Sequence, residues 1–164
     1  MRRLRGEGGY ALIELLAAIV MINIGILAML LTLNSGMTTL RRSAELSTAS
    51  ALADKQLELY RALRHSSIYL DTASVATAAA DATYQGDSAY SATQVTATCS
   101  PLVAACTPIQ TVTGPDGRTY RIDTFIVSTT PAGGDPVKQV TVVVRKPGVA
   151  TTLARVVSTF GEDF

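Results

Sequence analysis

The feature that most constrains this chain is a run of nineteen residues without a charge, Leu15 to Leu33. Only Asn23, Gly25 and Thr32 interrupt its apolar character. As an α-helix rising about 1.5 Å per residue, the run reaches roughly 28 Å, which is close to the thickness of the hydrocarbon core of a bilayer. The run therefore predicts a helix that spans a membrane.

The charges on either side of the run predict its orientation. Three arginines stand among the first five residues, whereas no charge follows the run until Arg41. The positive-inside rule therefore places the N-terminus in the cytoplasm and the chain after Asn34 outside. A secretory signal peptide and a plain signal anchor are the alternatives. The apolar part of a signal peptide has only about 7–15 residues and ends in a small-residue cleavage site, which this run matches poorly.

Glu14 is a carboxylate at the start of the apolar run, between Ile13 and Leu15. A charge well inside hydrocarbon costs about 2.5–3.5 kcal/mol on insertion scales, and less near the interface. The plainest interpretation is that Glu14 reaches out to the lipid headgroups from its position near one end. The alternative is that it has a partner, because a bare anchor has no use for this charge.

The residues that precede Glu14 form a motif. The stretch GGYALIE at residues 8–14 resembles the type IV prepilin signal, most often written GFTLIE, which follows a short basic leader and precedes an apolar helix. Tyr10 stands in place of the commoner Phe, and Ala11 in place of the commoner Thr or Ser. Through this motif the chain is similar to the type IV pilin-like family.

The resemblance implies how the N-terminus is processed and used. A membrane aspartyl peptidase, the prepilin peptidase, would cut between Gly9 and Tyr10 and methylate the new amine of Tyr10. The leader is then residues 1–9, and the transmembrane and assembly helix is residues 10–33. Glu14 becomes an assembly residue that pairs with a cationic amine, including that of a neighbouring subunit. Removing one partner of such a pair in a low dielectric is strongly destabilising.

The next segment, residues 34–65, predicts an amphipathic continuation of the same helix. Its apolar residues recur at the i, i+3, i+4 and i+7 spacing of one helix face, as Leu46, Ala49, Ala53, Leu57 and Tyr60. Because no proline occurs before Pro101, we expect a single helix from about Leu12 to Arg64. Its weak points are Gly25 and Gly36, since glycine in a helix costs about 1 kcal/mol relative to alanine.

Residues 66–98 differ in composition from the rest of the chain. Twenty of these thirty-three residues are Ala, Ser or Thr, and none is basic. Low hydrophobicity argues against a regular buried core, so we expect a long surface loop partly ordered by Tyr69, Tyr84 and Tyr90. A glycosylatable Ser/Thr-rich stretch is the alternative.

Two cysteines, Cys99 and Cys106, follow this loop and enclose six residues. They are too few for a disulfide-built miniprotein and lack the paired spacing of a zinc site. The residues alone leave one disulfide or two free thiols open. Export to an oxidising compartment favours the disulfide. With a single histidine in the chain, His65, the sequence predicts no metal centre.

The last part of the chain has the signature of β-structure. Alternating apolar residues separated by Gly- and Pro-containing turns predict strands at 109–112, 119–128, 137–145 and 152–160. An antiparallel sheet in a head of residues 99–164 would bury its apolar face against the amphipathic half of the helix. The prediction is an α+β fold, which the pilin resemblance also implies.

The function predicted from these features is structural. No nucleophile set, phosphate-binding loop or metal motif is present, so neither an enzyme nor a cofactor is expected. A net charge of +1 gives nucleic-acid binding no support. The helix end at residues 53–63 looks like that of PilV-type minor pilins and type II secretion pseudopilins.

We therefore expect a type IV pilus minor pilin, made as a single-pass precursor in the cytoplasmic membrane and assembled into an extracytoplasmic filament. Its partners would be the membrane, the prepilin peptidase and other pilin subunits. A type II secretion pseudopilin is the alternative within the family. From another class, the alternative is a membrane-anchored binding protein that does not polymerise.

Overall fold

The computed structural model describes residues 8–162, and the side chains of residues 12–162. Most of the expected leader, residues 1–7, thus lies outside the described residues. The chain divides into two units, Met1–Ser43 and Ala44–Phe164. The described residues of the first unit, 8–43, are all helical, whereas the second unit contains the end of that helix and every strand of the described residues. The second unit is called the head below.

The first element, α1, is a helix of 54 residues, Gly8–Arg61. Nothing in its sequence breaks it, since proline is absent and its two interior glycines are tolerated individually. The chain becomes extended at Arg64, which stands in front of a short 3-10 helix, His65–Ser67. The prediction of one continuous helix is confirmed, with its end at Arg61 instead of Arg64.

The sheet of the head has four antiparallel strands in sequential order: β3 (Ile109–Thr113), β4 (Thr119–Thr129), β5 (Val137–Arg145) and β6 (Thr152–Phe160). Two of the predicted strands extend one residue further than expected, and the other two match. The turns that join β3 to β4 and β5 to β6 use Gly117 and Gly148 at φ 72°, a conformation that residues with a Cβ rarely adopt. The sheet starts at Ile109, whereas residues 104–106 of the expected head form a 3-10 turn.

One face of the sheet packs on the end of α1 within the head. Ala49, Ala53 and Tyr60 of α1 are fully buried, and Leu57 is 3% exposed. They meet a group of apolar strand residues that share one sheet face, which are Ile122, Ile126, Val140, Val142 and Val144. The predicted α+β arrangement is confirmed. Leu46, expected on the same helix face, is instead 39% exposed, because it lies at the start of the packed region.

The segment between helix and sheet is more regular than its composition predicts. It contains β1 (Leu70–Asp71), α2 (Thr72–Ala78), α3 (Ala82–Gln85) and β2 (Thr96–Ala97), and β1 pairs with β2 in parallel. The expected loop thus contains two short helices and one short strand pair that its composition did not predict. Asp71 and Asp81 are the reason for its helices, because each carboxylate caps a helix by accepting a backbone N–H at 2.9 Å.

This segment also covers part of the second face of the sheet. Tyr84 is fully buried, and its ring stacks on Phe125 with the ring centroids 4.4 Å apart. The hydroxyl of Tyr84 donates to the carbonyl of Thr124 at 2.8 Å. Of the three tyrosines expected to order the segment, Tyr84 has the clearest role, and burial raises its pKa. The sheet is therefore a middle layer with a partner on each face.

Buried charges join the segment to the sheet. Arg145 of β5 is 3% exposed and pairs with both Asp123 and Asp87. Asp87 also accepts from Arg155 of β6 at 2.8 Å. Burial opposes ionisation of Asp87, but the N–H of Ala89 and the guanidinium of Arg155 outweigh it, so the pKa of Asp87 is lowered.

A second link lies beside the first. The guanidinium of Arg121 donates to both oxygens of Asp81, at 2.8 and 2.9 Å, and to Asp123 at 2.7 Å. The hydrogen bond from Arg121 lowers the pKa of Asp81 to about 2. Residues 65–117 contain four aspartates and no Lys or Arg. The structure explains this asymmetry, because two of those aspartates find their cations on the sheet.

Candidate functional site

The candidate functional site is the part of α1 that no other described residue covers, residues 12–40. We call these residues the exposed helix segment. Every one of them is exposed, and seventeen large apolar side chains among them have exposed fractions between 47% and 73%. Soluble proteins rarely present contiguous apolar patches of more than a few hundred Å². This surface therefore calls for lipid or for other helices.

Among the described residues, α1 is the one helix long and apolar enough to cross a membrane. A core helix of a soluble protein and a signal sequence satisfy the same two criteria of length and composition. A core helix is mostly buried, however, and none of the apolar part of α1 is buried within the chain. The position of α1 near the N-terminus is compatible with a single-pass membrane anchor.

Polar side chains of the exposed helix segment use the backbone of the same helix. Asn23 donates its Nδ2 hydrogen to the carbonyl of Ile19 at 2.9 Å, and the Thr32 hydroxyl donates to Ala28 at the same distance. Such bonds to the preceding turn satisfy a polar group where water is absent. Each of the two polar side chains inside the uncharged run thus has one donor satisfied, which lowers its desolvation cost in lipid.

Glu14 lies on α1 and is exposed. It makes no ion pair with any residue from 12 to 162. The backbone of Gly9 and Tyr10 belongs to the first turn of α1, while their side chains lie outside the described residues. On a helix, positions 10 and 14 stand on the same face, one turn apart. An amine created at Tyr10 would therefore be within reach of the carboxylate of Glu14 in the same chain or in an adjacent helix.

Gly25 and Gly36 of the exposed helix segment pack against no other element among the described residues. A Cβ placed on Gly25 or on Gly36 meets no atom within 4 Å. In membrane helices, small residues let a second helix approach closely. The sequence singled out both glycines as weak points, and the geometry adds that the space beside them is open.

The two cysteines are joined as predicted, in a Cys99–Cys106 disulfide of the head. The short loop between them is held against α1. Tyr60 donates its hydroxyl hydrogen to the carbonyl of Ala105 at 2.5 Å, and Gln56 donates to Ala104 at 3.1 Å. Burial raises the pKa of Tyr60 to about 12.

Sequence reasoning missed Gln56, which is 4% exposed although it is polar. A signal was available, because Gln56 falls three residues after Ala53 and four before Tyr60, on the buried helix face. It also missed Glu45, whose carboxylate pairs with Arg118 and with Lys146, the latter at 2.6 Å. For Glu45 the sequence carries no signal, since its partners come from two distant turns.

Among residues 8–162, no group of three or more His, Cys, Asp or Glu side chains is placed to hold a metal ion. Within residues 12–40 the described side chains offer an apolar surface and one carboxylate, that of Glu14. No protein-family model, curated protein or solved structure matches the chain.

Proposed function

We propose that the chain is a type IV pilin-like structural subunit, of the minor-pilin kind, that joins an extracytoplasmic filament through α1. The observation that carries the proposal is the combination of Glu14 with an exposed helix segment that continues directly into a folded head. A head needs only a short tether to reach a membrane. A helix that is apolar on all sides and bears one carboxylate at its membrane end suits helix–helix assembly better.

Processing is the first element of the proposal. The prepilin peptidase cuts the bond between Gly9 and Tyr10 and methylates the new amine on Tyr10. Intact mass and N-terminal sequencing of the membrane fraction should show the loss of nine residues and the gain of one methyl group. A mature protein that still starts at Met1 would contradict the proposal.

Assembly is the second element, and Glu14→Ala is its test. Insertion becomes easier, because a charge costing up to a few kcal/mol is removed from the apolar run. Assembly weakens, because the amine of Tyr10 loses its partner in a low dielectric, a loss of about 3–5 kcal/mol for a buried pair. The measurement is the ratio of protein in sheared filaments to protein in the membrane.

The matched control is Glu58→Ala, which removes an exposed glutamate from the head end of the same helix. It should leave the ratio at the wild-type value. If Glu14→Ala also leaves the ratio unchanged while the leader is still cleaved, the protein is an anchored head that does not polymerise. Isolation of the intact assembly, followed by identification of its other subunits, separates a pilus from a secretion pseudopilus.

A further inference from the structure

A cavity of about 280 Å³ lies at the end of the head where α1 stops. One side of it is formed by the last residue of α1 and residues that follow it, and the other side by the end of β6. We call it the Phe160 cavity. Pockets for drug-sized ligands measure about 300–1,000 Å³, so this one suits a smaller molecule.

Part of the lining is an apolar wall. Leu63 and Ile68 contribute aliphatic side chains, and Phe160 contributes a ring. Lys138 fixes the segment beside the wall, because its Nζ donates to the carbonyl of His65 at 2.7 Å and to that of Ile68 at 2.9 Å. A wall that is held in place before binding loses little entropy when a ligand enters. The apolar wall can therefore take a short aliphatic body.

The rest of the lining can donate hydrogen bonds. Arg61 brings a guanidinium, and Ser158 and Thr159 bring hydroxyls. Glu58 pairs with Nη1 of Arg61 at 2.5 Å, which leaves the hydrogens of Nη2 and Nε for another acceptor. No described residue that lines the cavity is acidic. A ligand with acceptor atoms and a negative charge therefore matches this part of the lining.

His65 adds a buried nitrogen without a partner. Its side chain lines the cavity, and no described residue hydrogen-bonds to its Nε2. A buried polar atom without a hydrogen bond is destabilising, and native proteins leave few such atoms. A ligand oxygen that reaches Nε2, with the ring hydrogen on that nitrogen, supplies the missing hydrogen bond.

The chemistry that matches the whole lining is a carboxylate on a short aliphatic body. A planar carboxylate accepts two parallel hydrogen bonds from one guanidinium. An inorganic phosphate also accepts such bonds, but it leaves the apolar wall in contact with water. A neutral aliphatic molecule covers the wall but makes no charge-assisted hydrogen bond to Arg61.

We propose that the Phe160 cavity binds a carboxylate carried on a short aliphatic body, as in a small organic acid. The carboxylate accepts from Arg61 and from Nε2 of His65, and the aliphatic body lies on the apolar wall. This binding site is a further property of the head. It does not rest on the proposed function, which depends on α1 and Glu14.

Titration of the full chain in an uncharged detergent with 4-methylpentanoate tests the proposal. For a ligand of this size a Kd of about 1 mM is expected. In ¹⁵N-labelled protein the amide signals of Thr159 and Gly161 should shift and saturate, whereas that of Val142 in the middle of the sheet should stay in place. 4-Methylpentanamide has the same shape without the charge, and acetate has the charge without the body. Each should bind at least about tenfold more weakly.

Variants identify the groups that bind. Arg61→Gln removes the guanidinium and should raise the Kd at least about tenfold. The matched control is Arg64→Gln, which removes an exposed arginine that does not line the cavity and should change the Kd less than about twofold. His65→Phe keeps a ring but removes Nε2 and should raise the Kd about threefold or more. Unchanged amide signals of the strands show that each variant is folded.

An equal Kd for 4-methylpentanamide, or equal losses in the two arginine variants, would overturn the proposal. The absence of a saturating shift at about 20 mM 4-methylpentanoate, well above the expected Kd, would also overturn it. N-acetylglycyl-leucine carries the same carboxylate and represents the C-terminus of a polypeptide. Tighter binding of this dipeptide than of 4-methylpentanoate assigns the site to a chain end, and weaker binding assigns it to a free acid; both support the proposal.

Discussion

Two leucines of the same helix show how differently the two units of this protein treat an apolar side chain. Leu27 is 60% exposed, whereas Leu57, thirty residues further along α1, is 3% exposed. Both lie in an uninterrupted helix with the same backbone hydrogen bonding. The helix itself therefore does not decide burial. What decides it is the sheet that packs on Leu57, whereas no residue that the structure describes covers Leu27.

The two units also differ in how they place their charged side chains. Glu14 is exposed on an apolar surface, while Asp123 of the head is fully buried between Arg121 and Arg145. The head thus supplies both partners of its buried ion pairs. The exposed helix segment supplies one carboxylate, and within residues 12–162 it supplies no partner. The contrast indicates that the head is complete by itself, whereas the segment is built for an environment that lies outside the chain.

The largest effect is expected from removing the centre of the buried ion pairs. Arg145→Ala leaves Asp87 and Asp123 without their shared cation, and loss of one partner of a buried pair costs about 3–5 kcal/mol. Urea unfolding of the full chain in detergent, followed by tyrosine fluorescence, measures the free energy of unfolding. Its neighbour Lys146, with a side chain 46% exposed, is the control, and Lys146→Ala should cost less than about 1 kcal/mol. Equal costs for the two variants would contradict the assignment.

The two leucines of the opening comparison give the next prediction. Leu57→Ala leaves a cavity in the core of the head and should lower the free energy of unfolding by about 2–5 kcal/mol. Leu27→Ala removes the same atoms from an exposed position and should change it by less than about 0.5 kcal/mol. The same urea titration measures both. If Leu27→Ala destabilised the head as much as Leu57→Ala, the division into two independent units would be wrong.

Local sequence patterns explain which elements of both units could be predicted. The uncharged run and the alternating strands are local patterns that are bounded by proline, glycine or charged residues. Their positions can therefore be predicted to within a few residues. Strand ends agree because glycines such as Gly117 and Gly148 mark the turns. The face of α1 that packs on the sheet is readable for the same reason.

The regular structure of residues 66–98 could not be predicted from local sequence patterns. Its stability depends on Asp81 and Asp87, whose arginines lie 40–68 residues further along the chain. No window of local sequence contains such a pair. The one available sign was global: residues 65–117 contain four aspartates and no Lys or Arg, and the strands that follow carry Arg121, Arg145 and Arg155. Composition alone was misleading, because alanine-rich segments with aspartate caps also form short helices.

The disulfide is expected to stabilise the head and to leave the exposed helix segment unaffected. Closing an eight-residue loop contributes about 2.5 kcal/mol in the chain-entropy model. The double variant Cys99→Ala, Cys106→Ala should lose about that much free energy of unfolding, while its insertion into membranes stays at the wild-type level. Non-reducing peptide mapping of the wild type should find the two cysteines linked. Recovery of both as free thiols would contradict the assigned bond and the outside location that we propose for the head.

Acid should act on the head alone, and Asp81 gives the smallest of the expected effects. The ordinary pKa of an aspartate is about 3.9, whereas Arg121 lowers the pKa of Asp81 to about 2 in the folded state. A carboxylate with a lowered folded pKa contributes its stability above the unfolded value, and this contribution is lost as the pH falls through the folded value. The window for Asp81 is therefore about pH 4 to pH 2.

The side chain of Asp81 is 37% exposed, so solvent screening reduces the contribution to less than about 1 kcal/mol. Asp81→Asn should have a smaller free energy of unfolding at pH 5 than the wild type, and the two curves should converge as the pH approaches 2. The control Asp54→Asn removes a charge from an exposed position of α1 and reports the effect of net charge alone. Curves for Asp81→Asn and wild type that run parallel from pH 5 to pH 2 would show that Arg121 and Asp81 are not coupled. Because residues 15–33 contain no titratable side chain, the helical signal of that part should stay constant throughout, which separates acid loss in the head from any change in the exposed helix segment.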